Sequence, residues 1–142
     1  MKTIRQSLWA VLGVVAVLIA GCATMDATKN VQVTLGGGQE VPPVTTAATG
    51  SGTITVGEDK SVSGSVTTAG VVGVAAHIHD GAAGKNGPVI VPMTKTGDNT
   101  WTVAAGAKFT DAQYENFKAG NLYVNVHSAA NKGGEVRGQI KP

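Results

Sequence analysis

From Val31 onward the chain is a series of short segments in which apolar and polar residues alternate, separated by glycine-rich turns. Side chains of an extended strand point to opposite faces with a period of two, so such alternation predicts strands with one buried face. About eight segments qualify: Val31–Leu35, Gly52–Val56, Val62–Thr68, Val74–His79, Val89–Met93, Trp101–Ala104, Leu122–His127 and Glu135–Ile140. Glu58-Asp59-Lys60 supplies a hairpin turn between the second and third, and Gly97-Asp98-Asn99 one between the fifth and sixth. Short strands at this spacing, with no repeat of fixed period, predict an all-β fold: an antiparallel Greek-key β-sandwich or barrel of about eight strands.

Phe109 to Gly120 departs from the alternation and reads as one short helix. Thr110 and Gln113 form a capping box, with Phe109 and Tyr114 placed for a hydrophobic staple. Asp111 suits the positive end of the helix dipole, Lys118 the negative end, and Gly120 a C-terminal stop. Such a crossover is expected to plug one end of the fold.

The first residues are of another kind. Lys2 and Arg5 precede an apolar run from Leu8 to Ala20, shorter than the roughly 20 residues of a membrane-spanning helix, as in a signal peptide. The run ends in Leu18-Ile19-Ala20-Gly21-Cys22, which resembles the lipobox of bacterial lipoproteins, where the cysteine carries the lipid and begins the mature chain. Cys22 is the only cysteine, so an intramolecular disulfide is excluded and lipidation is favoured. The expected organisation is a lipoprotein signal peptide at 1–21, a lipidated cysteine and polar tether at 22–30, and one domain at 31–142. Ala23, in place of the aspartate that retains enterobacterial lipoproteins at the inner membrane, points to an outer membrane facing the periplasm, or else to the extracytoplasmic face of the cell membrane. Loss of Lys2 and Arg5 lowers Lys+Arg from 11 to 9, equal to the 9 Asp+Glu. A near-neutral chain without clustered Lys and Arg argues against a nucleic-acid partner.

The candidate chemistry is histidine. His77, His79 and His127 are the three histidines of the chain. His77 and His79 share a strand face opposite Ala76 and Ile78, and His127 shares a face with Asn125, opposite Leu122, Val124 and Val126. If the two strands lie together, three imidazoles converge as ligands for copper or zinc. Glu135, Arg137 and Gln139 give the last strand a polar face as well. Glu135 is then a carboxylate ligand or an outer partner that fixes a ring tautomer, with Arg137 and Asn125 as further outer neighbours; Asp80 is an outside candidate. The alternative is a hydrogen-bonded polar cluster without metal. No nucleophile motif, phosphate-cradling loop, dinucleotide fingerprint or metalloprotease helix is present, which points to a non-catalytic protein.

Three stretches together are similar to the CHRD domain, named for chordin and found in bacterial exported proteins. They are Gln39-Glu40-Val41-Pro42-Pro43-Val44; Ala76-His77-Ile78-His79 with Gly81, Gly84 and Asn86-Gly87-Pro88-Val89; and Tyr123-Val124-Asn125-Val126-His127 followed by Gly133-Gly134-Glu135-Val136-Arg137-Gly138-Gln139-Ile140. The resemblance spans roughly Val31 to Ile140 and, since chordin is a secreted binder of growth factors, implies a structural or protein-interaction domain without metal, with an envelope protein as partner. His-Ile-His, the later Val-His and the arginine before Gly-Gln-Ile also resemble copper/zinc superoxide dismutase in order. That likeness implies His77, His79 and His127 as copper ligands and Arg137 as an anion guide. The chain lacks that family's bridging histidine, zinc loop and disulfide pair.

Overall fold

The computed structural model describes residues 27–142; Cys22 and the expected signal peptide lie outside the described residues. Eight strands occur in chain order: β1 Thr28–Gly36, β2 Thr49–Gly57, β3 Val62–Ala69, β4 Gly73–Asp80, β5 Val89–Lys95, β6 Thr100–Val103, β7 Leu122–Ser128 and β8 Val136–Ile140. Helix α1, Asp111–Lys118, joins β6 to β7. The strands close into an antiparallel barrel in the order β1-β2-β3-β6-β5-β4-β7-β8. Strands β4, β5 and β6 are joined by hairpins and β3 lies beside β6, which is the Greek key expected from the sequence. Each alternating segment became a strand. β1 nevertheless starts at Thr28, inside the expected tether. Thr28, Lys29 and Asn30 are exposed, and backbone pairing with Gly57, Val56 and Thr55 extends the strand beyond its hydrophobic pattern.

The inward residues fill the barrel. Val33, Ile54, Ile78, Val124, Val126 and Val136 are all at 1% exposure or less, and each such side chain contributes about 1.5–3 kcal/mol by leaving water. Among the described residues the barrel is closed where β1 meets β8, at the pair Gly36–Arg137.

α1 seals one end. Thr110 Oγ1 accepts from the Gln113 backbone N–H at 3.2 Å, and Gln113 Oε1 accepts from Thr110 N–H at 2.9 Å, completing the capping box. Gly120 takes φ +74°, the left-handed turn that stops the helix. The rings of Phe109 and Tyr114 both converge on Phe117, at 6.1 and 6.0 Å between centroids, and Phe109 and Phe117 belong to the core. Lys60, in the β2–β3 turn, is ion-paired to Asp111, while Asn116 Nδ2 donates to both Asp80 carboxylate oxygens at 2.9 and 3.0 Å. The helix is thereby held between strand ends on opposite sides of the barrel. Thr110→Ala is expected to cost about 1 kcal/mol in urea unfolding, and Phe117→Ala about 3–5 kcal/mol; a loss near 1 kcal/mol for both would show that the helix does not plug the core.

Candidate metal centre

The site follows from register. Across β4 and β7, Ala75 faces His127, His77 faces Asn125 and His79 faces Tyr123. β8 extends the rows, with Arg137 facing Asn125 and Gln139 facing Tyr123. Because Ala76, Ile78, Val124, Val126 and Val136 point into the core, these polar rows occupy the outer face of the barrel. His127 stands diagonal to His77, one pair away. One donor nitrogen from each of His77, His79 and His127 can be chosen so that all lie within 4.8 Å of one another. His77 Nδ1 and His127 Nε2 are 3.1 Å apart. A metal 2.0–2.1 Å from each nitrogen needs neighbouring nitrogens roughly 3.3 Å apart, so closing the shell takes side-chain movement on the order of 1 Å.

The outer hydrogen bonds set the tautomers. His79 Nδ1 lies 2.9 Å from the Gly87 carbonyl and His127 Nδ1 lies 2.9 Å from the Lys132 carbonyl. A nitrogen facing a carbonyl oxygen must carry the hydrogen, so both rings present a bare Nε2. That of His127 accepts from His77 Nδ1–H. That of His79 is buried and has no hydrogen-bond partner. Burial, aided by the neighbouring imidazoles, pushes the pKa of His77 below the ordinary histidine value. Burial does the same for His79, against the Gly87 hydrogen bond, with help from His127 and Arg137. Neutral imidazole is the form that binds metal.

Around the histidines the outer face is itself buried. Tyr123 stacks on His79 with ring centroids 4.8 Å apart and planes 10° from parallel. The Arg137 guanidinium carbon lies 3.4 Å from the centre of the Tyr123 ring, against its other face. Its donors reach the Ala82 carbonyl at 3.1 Å, Gln139 Oε1 at 3.3 Å and Asn86 Oδ1 at 3.4 Å. Tyr123 Oη accepts from the Gly87 N–H at 3.1 Å, and Asn86 Nδ2 donates to the Val41 carbonyl at 2.8 Å. Two loops, 37–48 and 81–88, are thus drawn over β4, β7 and β8.

Of the residues expected beside the histidines, Asn125 lies between His77 and Arg137, and Arg137 sits one phenol ring away from His79. Glu135 and Asp80 are elsewhere. Glu135 precedes β8, where its side chain is free of the strand's alternation, and its carboxylate accepts from Thr46 Oγ1 at 2.9 Å. Asp80 ends β4 and is taken by Asn116 of the helix. Sequence reasoning missed Glu40 as a member of this face. It sits in a loop, where period-two parity carries no information, and its one signal was an acidic residue between a glycine run and two prolines.

Asn125 Nδ2 donates to Glu40 Oε2 at 3.1 Å, but Glu40 Oε1 and Asn125 Oδ1 are both buried without a partner. Both lie against Gly134, whose φ of +132° and lack of a Cβ admit them. A proton on Glu40 supplies the donor that this corner lacks. Burial raises the Glu40 pKa to about 7, against the opposing effects of the Asn125 hydrogen bond and the Arg137 charge. A carboxyl whose folded pKa lies above its unfolded value stabilises fully below about pH 4.5, and that contribution is lost as the pH rises through about 7. Glu40→Gln, which keeps the neutral form, is expected to gain stability relative to the native protein as the pH is raised from 4.5 to 8, by at most about 3 kcal/mol. Parallel denaturation curves for the two proteins over that range would show instead that Glu40 stays ionised.

No curated protein and no solved structure gives a significant match to the chain. A family model does: the CHRD domain matches residues 31–140. That interval runs from within β1 to the last residue of β8, taking in the three histidines, Glu40, Tyr123, Asn125, Arg137 and both covering loops. The chain belongs to the CHRD-domain family.

Proposed function

We propose that this protein is a non-catalytic binding module of the cell envelope, held by a lipid on Cys22, that carries one copper or zinc ion on His77, His79 and His127. The observation that carries the reading is the Nε2 of His79. A buried ring nitrogen with no hydrogen-bond partner is costly, and this one belongs to the group whose donor nitrogens converge within 4.8 Å. A metal ion satisfies it. Carbonyl hydrogen bonds hold two of the rings in the ligating tautomer, the outer support usual for metal-bound histidine. Arg137 is not offered to an anion, since its donors go to Ala82, Gln139 and Asn86; this disfavours a superoxide-dismutating centre.

A second reading is a structural or protein-interaction domain in which the histidines only brace β4 against β7. The 3.1 Å contact between His77 and His127, which already pairs two of the three rings, favours it.

Calorimetric titration of the purified protein with copper and zinc salts separates the two. One-to-one binding at about pH 7.5 that weakens at about pH 5, where protons compete for the imidazoles, is expected for the metal site. His127→Ala is expected to abolish it; unchanged affinity in that variant, or no binding by the native protein at either pH, would leave the bracing role. For the anchor, Cys22→Ser is expected to move the protein from the membrane fraction to the soluble one, and continued membrane association would remove the lipid from the proposal.

A further inference from the structure

The charge around the three histidines distinguishes among the metals that imidazole accepts. The cluster contains no carboxylate and no thiolate, so its three donors are neutral. The outer partners of His79 and His127 are backbone carbonyls, again without formal charge. Glu135 and Asp80, the acidic side chains nearest in sequence, are engaged with Thr46 and Asn116. Among the described residues Glu40 is the one carboxyl on the buried outer face, and it is bonded to Asn125 and stands outside the histidine cluster. The fixed charge of the face is the guanidinium of Arg137, at 1% exposure and separated from His79 only by the Tyr123 ring.

We infer that the site is selective for monovalent copper, Cu(I), over Cu(II) and Zn(II). This rests on the metal-binding reading above and assigns its ligand. A shell of three neutral imidazoles leaves the whole charge of the ion uncompensated. A buried guanidinium across one aromatic ring then repels a divalent ion twice as strongly as a monovalent one. At such a separation and an effective dielectric constant of about 20, each additional unit of charge weakens binding by on the order of tenfold. Zn(II) and Cu(II) usually complete their shells with further donors such as water or carboxylate, and no protein group of this cluster supplies one.

The test is competition of the purified full chain against chromophoric chelators, with Cu(I) under reducing, oxygen-free conditions and with Cu(II) and Zn(II) separately. Cu(I) is expected to be held at least about tenfold more tightly than either divalent ion. Cu(II) or Zn(II) bound as tightly as Cu(I) would overturn the inference and leave the metal site standing, whereas failure of all three ions to bind would remove both. Two variants address the cause. Arg137→Gln is expected to tighten Zn(II) by about a hundredfold and Cu(I) by about tenfold, closing the gap between them by about tenfold. Since Arg137 also anchors both loops, Ala75→Asp provides an independent check. Ala75 faces His127 across the β4–β7 ladder, so a carboxylate there adds negative charge without disturbing the guanidinium. It is expected to narrow the preference for Cu(I) in the same direction, and an unchanged ratio of affinities in a folded Ala75→Asp protein would overturn the electrostatic argument.

Discussion

A guanidinium taken out of water is costly unless its donors are met, and the outer face of this barrel is organised by that requirement. Arg137 is the largest fully buried side chain among the described residues and has no ion-pair contact there. Its needs are met by a carbonyl, two side-chain amide oxygens and the face of a tyrosine. Two of those partners, Ala82 and Asn86, belong to the loop after β4, and Asn86 in turn holds the loop after β1 through Val41. With those loops drawn in, Tyr123 and Asn125 become as buried as core residues although they point away from the core. His79 is buried for the same reason. The perturbed histidines, the orphaned Nε2 and the raised pKa of Glu40 all follow from a face that water leaves once Arg137 is satisfied.

Topology decides which residues share that face. Were the sheet a simple meander, β4 would lie beside β3, and His127 would be remote from His77. The Greek key hands the chain from β3 to β4 across the end of the barrel and returns β7 to the free side of β4. The antiparallel register then places His127 one pair from His77 rather than opposite it. This diagonal leaves Asn125 as the direct neighbour of His77 and frees its amide to hold Glu40.

Much of this was legible in the residues. The period-two alternation located every strand, and parity set each histidine opposite the apolar face of its strand; that β4 and β7 are neighbours came from the topology. The capping box of Thr110 and Gln113 was readable because helix termination is local. What could not be read is what lies over a face. Alternation distinguishes core from outside, but not outside that is solvated from outside that loops cover, and so Tyr123, Asn125 and Arg137 gave no sign of their burial. Glu135 illustrates the same limit: its parity matched Arg137, yet it lies just before the strand and turns to Thr46. Glu40 approaches Asn125 from 85 residues away through a loop, a relation no local pattern encodes.

The two halves of the histidine cluster come from segments 50 residues apart, and this spacing makes the site a checkpoint on assembly. A chain that has formed only the β4–β5 hairpin carries His77 and His79 on one strand, facing Pro92 and Val89, with no third histidine beside them. The third donor arrives only when β7 docks, an event that must await closure of long loops and therefore comes late. An incomplete barrel thus offers two ligands at most, and its hold on an ion is far weaker than that of the finished one. Whatever fills the cluster would be drawn to mature copies in preference to partly folded or misfolded ones, and would shift the balance toward them by mass action.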